Sequence, residues 1–260
     1  MVVGSLGIVC GRYVSIQSDA DLIAEFDAED ATGGGFDPAA NNGYNIAPTV
    51  AVRTVVNRRR RGVAGPSGPP VRQLRVMTWG LVPSWAKERS IGNRQFNARA
   101  ESLGSKPAFR RAYALRRCLV PADGWYEWQR AEDATGRPTK QPYFMTPSDG
   151  GLIAFAGLYE FWGEPGELLT TCAIVTTESR GVLAEVHDRM PLVLPRAAWE
   201  RWLDPAEKDP SDLIQAWDEA RGVHLELRPV STEVNDSTHE GPQLIAPMPG
   251  PAPSAPATLF

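Results

Sequence analysis

Four short segments carry the side chains best suited to chemistry: Cys10-Gly11-Arg12-Tyr13, Asn97-Ala98-Arg99-Ala100-Glu101, Pro121-Ala122-Asp123-Gly124-Trp125-Tyr126-Glu127-Trp128 and His187-Asp188-Arg189-Met190-Pro191. A cysteine offers a nucleophile, and a histidine titrates near neutrality, so Cys10 and His187 could together serve a thiol-based reaction. Glu127 lies between Tyr126 and Trp128. Rings that strip water from a carboxylate raise its pKa and fit it to moving protons. Asn97 carries both a donor and an acceptor, which suits it to orienting a reacting group. Each residue also has a plain reading. Cys10 could be a small apolar residue at a buried strand start, Asn97 a helix cap, Glu127 the exposed side of an alternating strand, and His187 a satisfied core histidine. Other chemistries lack their motifs. No glycine-rich phosphate loop follows a strand, and no Gly-x-Ser-x-Gly elbow is present. His187, His224 and His239 stand at no ligand spacing, so neither a metal nor a cofactor is expected.

The elements that must position these residues follow from periodicity. Asp19 to Asp30 has apolar residues at Leu22, Ile23 and Phe26, an amphipathic helix with an acidic outer face. Strand-like runs lie at Val50–Val56, Leu74–Trp79, Cys118–Val120, Tyr143–Thr146, Leu152–Leu158, Thr171–Thr176 and His224–Val230. Ala108–Leu115, Ala197–Leu203 and Ser211–Ala220 read as helices, each preceded by a proline. Many short strands with scattered helices predict an α+β fold with antiparallel pairing, in one domain. From Pro242 the chain turns rich in proline and alanine without periodicity, and a disordered tail is expected there.

Composition bounds the partners. The 260 residues are 42% hydrophobic and 22% charged, ordinary for a globular chain with a sizeable core. No apolar run spans a bilayer, no signal peptide is evident, and Cys10, Cys118 and Cys172 cannot all pair, so the chain reads as cytoplasmic with free thiols. Charge is strongly segregated. From Asn45 to Met145 there are 19 Lys/Arg against 6 Asp/Glu, a balance of +13, while the remainder holds 8 against 25, or −17, and the whole chain −4. Such clustering fits a polyanion partner, and equally a basic loop facing an acidic surface of the same protein. Arg58–Arg61 runs into Gly62–Pro70, which reads as a flexible insertion.

Taken together the segments resemble the SRAP family, proteins that sense abasic sites in single-stranded DNA. The resemblance runs from Cys10 to about Pro247 and adds Asn45-Ile46-Ala47-Pro48, Trp79 to Trp85, and Val230-Ser231 through Gly241-Pro242. It implies one domain over 10–247 with a central, mostly antiparallel sheet or barrel and peripheral helices. Residues 1–9 are then a non-native or removed extension, and 248–260 a disordered Pro-rich tail. It implies a monomer without cofactor whose partner is single-stranded DNA with abasic sites. The catalytic set would be Cys10, Asn97, Glu127 and His187. The DNA contacts would be Arg12, Arg99 and Arg189 on phosphates, Pro48 and Trp85 against bases, and Thr176 at a strand end.

The implied chemistry demands a free terminus. A ring-opened abasic sugar exposes an aldehyde, and a terminal cysteine can close its amine and thiol onto that carbon as a thiazolidine. An internal cysteine cannot, because its nitrogen is an amide with a delocalised lone pair. Nine residues precede Cys10. Either cleavage before Cys10, by the protein itself or by a protease, exposes the amine, or initiation at Val9 gives Met-Cys-Gly-Arg. A cysteine peptidase, and a non-covalent single-strand binder with a blocked Cys10, are the competing readings.

Overall fold

The computed structural model describes residues 10–33, 43–62, 65–132, 135–216, 224–248 and 257–258. The expected extension at 1–9 and most of the expected tail lie outside these residues. The strands are β1 (Arg12–Val14), β2 (Glu29–Asp30), β3 (Ala51–Gly62), β4 (Gly65–Trp79), β5 (Asn97–Arg99), β6 (Arg117–Ala122), β7 (Gly124–Glu132), β8 (Pro138–Pro147), β9 (Ile153–Trp162), β10 (Leu169–Glu178), β11 (Arg189–Pro191), β12 (His224–Pro229) and β13 (Ala257–Thr258). The helices are α1 (Asp19–Phe26), α2 (Arg110–Leu115), α3 (Arg196–Leu203) and α4 (Ser211–Ala216). The α+β expectation holds.

Hydrogen-bonded neighbours run β10–β9–β6–β3–β4 in antiparallel pairs, and β4 then meets β10 in parallel at Thr78↔Thr171 and Trp79↔Cys172. The path closes on itself, so these five strands form a barrel. Closure leaves none of its members as a free edge and gives it an enclosed interior. Tyr13 fills that interior with its ring edge-on to Trp79 and Phe155, at 5.3 and 6.0 Å between centres. A second sheet, β1–β7–β8–β12–β13, lies alongside. The chain crosses from barrel to sheet between β6 and β7, at Asp123, whose carboxylate accepts the Ile16 N–H at 2.7 Å and the Gln17 amide at 2.8 Å. The next residue must be glycine, since a Cβ at position 124 would strike the Phe144 ring and the Met145 carbonyl.

Three expectations are corrected. The amphipathic pattern ends as helix at Phe26, because Asp27 turns left-handed (φ 48°) and Glu29–Asp30 pair with β4. The Arg58–Pro70 stretch is not a loose insertion. β3 and β4 stay paired out to Gly62↔Gly65, with a bulge at Arg59/Arg60. Arg59, Arg60 and Ser67–Pro70 are all exposed, so the arm lacks the alternation that would mark a strand. Pro242–Ile245, expected to open the aperiodic tail, forms a tight turn with Leu244 fully buried, and the Met248 N–H reaches the Pro229 carbonyl at 2.9 Å. No helix among the described residues is long and apolar enough to cross a membrane.

Candidate active site

Cys10 stands two residues before β1, in a left-handed conformation (φ 46°) that non-glycine residues seldom adopt. β1 pairs with β7 through Arg12↔Tyr126 and Val14↔Gly124, which carries the start of β1 alongside Glu127. The Cys10 N–H donates to Glu127 Oε1 at 2.7 Å. Alternation along β7 puts Trp125 and Glu127 on the face toward the barrel and Tyr126 on the other. Glu127 is nevertheless not the exposed side of its strand. It is 2% exposed, and Tyr126 is fully buried too, because the Val230–Leu244 segment covers the second face.

Burial pushes the Glu127 carboxyl well above the usual range. The Cys10 N–H pulls the other way and the Asp188 charge adds to the rise. Glu127 Oε2 has no hydrogen-bond partner among the described residues, leaving one oxygen open for a proton or a ligand. The Cys10 thiol is likewise pushed up, by burial and then by Glu127. A measurable consequence follows by linkage. An unfolded glutamate titrates near pH ~4.3. Between that value and the raised folded one, the unfolded chain has lost a proton that the folded chain keeps, so stability falls as pH rises through the window. Glu127→Gln should flatten this fall and leave the variant more stable than the parent at pH ~8. Urea midpoints measured from pH 4.5 to 8 decide it; parallel curves for the two proteins would mean that another group causes the slope.

Asn97 arrives from β5, which runs parallel to β10 with Asn97 beside Ile174. Its Nδ2 donates to the Cys10 carbonyl at 3.4 Å. Cys10, Asn97 and Glu127 are therefore brought into direct contact. His187 follows a tight turn at Gly181–Glu185, held near β7 by the Gln129 amide on the Glu185 carbonyl at 2.9 Å. Its Nδ1 lies 3.0 Å from both the Arg189 N–H and Asp188 Oδ1. One nitrogen cannot accept from the first and donate to the second. Burial lowers the pKa of the ring, and Asp188 is 87% exposed and screened by water, so the neutral ring accepts at Nδ1 and carries its proton on Nε2.

The expected DNA contacts divide. Arg99 is exposed at the end of β5, and Trp85 is 59% exposed over a groove walled by Ser84, Pro107, Arg110 and Arg111. Pro48 is half-buried beside Thr49, a β-branched residue strained to φ 79° whose N–H is tied to the Trp79 carbonyl at 2.7 Å. Arg12, Thr176 and Arg189 are instead engaged within the chain. Arg12 Nη1 donates to Asn45 Oδ1 at 2.8 Å and to the Val234 carbonyl at 2.7 Å. Arg189 grips Glu101 with both Nη atoms, at 2.7 and 3.0 Å, and donates to the carbonyl of buried Thr176 at 2.7 Å. Two residues that sequence reasoning did not assign complete this frame. Glu101 holds Arg189. Asn45, 2% exposed, accepts from Arg12 while its Nδ2 faces the carbonyls of Val234, Asp236 and His239 at 2.9–3.3 Å. Both lie inside the segments that carry the family resemblance, and that was the signal available in the sequence. Among the described residues no cluster of His, Cys, Asp and Glu could hold a metal ion.

The chain is 35% identical over 242 residues to the abasic site processing protein YoqW of Bacillus subtilis, covering 91% of this chain and 99% of that one. It is 34% identical over 204 residues to the mouse abasic site processing protein HMCES, covering 66% of this chain and 56% of the mouse protein. A crystal structure of a Bacteroides thetaiotaomicron protein shares the fold, with a TM-score of 0.70 at 20% identity, covering 92% of this chain and all of that one. Residues 9–237, which include all ten of the expected site residues, match the model for the SOS response associated peptidases, and the chain belongs to that family, SRAP.

Proposed function

We propose that this protein captures abasic sites in single-stranded DNA covalently, through Cys10 presented as an N-terminal residue. The relatives named as abasic site processing proteins supply the substrate class. The observation that carries the mechanism is the Cys10 nitrogen held 2.7 Å from a buried, proton-retaining Glu127. With that nitrogen as a free amine, its lone pair bonds to C1′ of the ring-opened sugar, and proton transfer from nitrogen to oxygen gives a carbinolamine. Glu127 protonates the hydroxyl, which leaves as water, and an iminium forms. The Glu127 carboxylate then takes the thiol proton while Sγ bonds to C1′, closing a five-membered ring and restoring the carboxylic acid. One water is released and nothing is oxidised. Asn97 fixes the Cys10 carbonyl and so the direction of the amine. His187, with its proton on Nε2, is suited to donating a hydrogen bond to the sugar ring oxygen and so holding the opened sugar.

The same carboxyl could serve maturation. Hydrolysis at Val9–Cys10 breaks the bond to the nitrogen that Glu127 touches, and Glu127 would protonate it as it leaves. Arg99, Trp85 and Pro48 offer the strand an exposed cation and two apolar surfaces, since stacking tolerates any sequence. Arg12, Thr176 and Arg189 border the site and contribute through its frame. A general cysteine peptidase fits less well, because burial holds the thiol protonated and His187 makes no hydrogen bond to it.

An oligonucleotide with one aldehydic abasic site should give a denaturation-resistant band with the protein that begins at Cys10. The same strand with a tetrahydrofuran spacer, which cannot open to an aldehyde, should give none. An equal band from both strands would overturn the aldehyde mechanism.

A further inference from the structure

At the end of the barrel remote from Cys10, three arginines, Arg58, Arg75 and Arg116, gather around Tyr159. Arg58 and Arg75 occupy the inward register of the β3–β4 ladder, continuing the face of Val52, Val56, Met77 and Trp79. Arg58 Cζ lies 4.8 Å from the centre of the Phe161 ring, and Arg116 Cζ 5.7 Å from it. Arg116 is paired with Glu160 at 2.8 Å. Arg58 and Arg75 have no carboxylate partner among the described residues. Arg75 Nε donates to Gln73 Oε1 at 2.9 Å, and Gln73 Nε2 donates to the Arg58 carbonyl at 3.1 Å, so the Arg75 fork is held in place by a neutral amide. Tyr159, 5% exposed, brings its hydroxyl within the field of all three guanidiniums, and that hydroxyl has no hydrogen-bond partner among the described residues. Burial and the neighbouring Arg58 both disfavour the charged form of Arg75, a cost that an anion would offset.

This mouth is separate from the aldehyde site. β10 begins beside Phe161 (Thr170↔Phe161), and it meets Asn97 four residues on, at Ile174. At the rise of a strand that is about 13 Å. We propose that Arg58, Arg75 and the Tyr159 hydroxyl form a phosphate-binding site at the far mouth of the barrel. A pre-held arginine fork suits phosphate oxygens. Exposed Arg59, next along the β3–β4 arm, extends the same charge outward. The phosphate can belong to a free nucleotide or to the backbone of a bound strand.

Two probes separate these sources: thymidine monophosphate, and a lesion-free 20-nucleotide oligothymidylate. Both are titrated against the parent and against Arg75→Met and Arg58→Met, which keep the aliphatic stems. Tyr159→Phe serves as a minimal variant that removes one hydroxyl. If nucleotide binding is seen and weakens about tenfold in the arginine variants, the site takes a free phosphate. If only the oligonucleotide weakens, with its salt slope flattened by roughly 0.7 per arginine, the site takes the backbone. If neither probe responds in variants that melt like the parent, the site does not exist. The aldehyde reading stands or falls apart from this, because adduct formation at saturating strand is read on the same variants and should persist.

Discussion

Alanine in place of Cys10 should remove the denaturation-resistant adduct, whereas Cys118→Ala and Cys172→Ala should retain it. The three thiols are all buried and free, so exposure does not separate them. Position does. Cys118 and Cys172 lie on barrel strands, and Cys118 Sγ is packed so closely on Gly157 that a Cβ there would come within 2.7 Å of it. Neither has a nitrogen that could become an amine. Cys10 alone has its nitrogen on Glu127 and its carbonyl on Asn97. A protein beginning with alanine keeps the amine and can still form a Schiff base, so borohydride should trap an adduct that otherwise reverts in denaturant. Removing Cys118 or Cys172 should cost only packing, about 1 kcal/mol for a small cavity. Loss of the adduct in a folded Cys118→Ala protein would show that the nucleophile has been misassigned.

What could be read from the chain follows the reach of local rules. The β-branched runs at Val52–Val56 and Ile174–Val175 and the Leu22/Phe26 stripe declare their elements, because burial on a known face leaves a period. The barrel does not declare itself, since its closure rests on two parallel pairs between β4 and β10, nearly a hundred residues apart. Glu127 was legible as a reactive position, yet its burial was not. The Tyr-Glu-Trp alternation looks the same whether one face of the strand is covered or two; here the Glu127 face meets the barrel core and the Tyr126 face meets Val230–Leu244. Arg12 and Arg189 were expected on phosphates because the family resemblance implies it and guanidinium suits phosphate. Their partners, Asn45 and Glu101, stand 33 and 88 residues away. A spacing in sequence cannot distinguish a guanidinium that meets solvent from one that holds two segments together.

The chain that retains residues 1–9 should bind single-stranded DNA and give no stable adduct, while one translated as Met-Cys-Gly-Arg and trimmed of its methionine should give it in full. The contrast rests on one nitrogen. As an amide, the Cys10 N–H can donate to Glu127, but its lone pair is delocalised into the carbonyl and cannot attack an aldehyde. As an amine of pKa about 7.7–8.0, it is partly neutral at pH 7 and can. Intact mass of the natively produced protein identifies the terminus, and a GUG codon at Val9 would favour initiation there over cleavage of the Val9–Cys10 bond. The Glu127→Gln variant separates those routes further. Self-cleavage that depends on proton delivery from Glu127 stops in it, whereas a start at Val9 delivers the free cysteine regardless. If the full-length chain, shown by mass to keep Met1, still forms the adduct through Cys10, terminal-amine chemistry must be given up. A thiol acting alone on an aldehyde yields only a hemithioacetal, which falls apart on denaturation, so a surviving band would require a second nucleophile that this site does not provide.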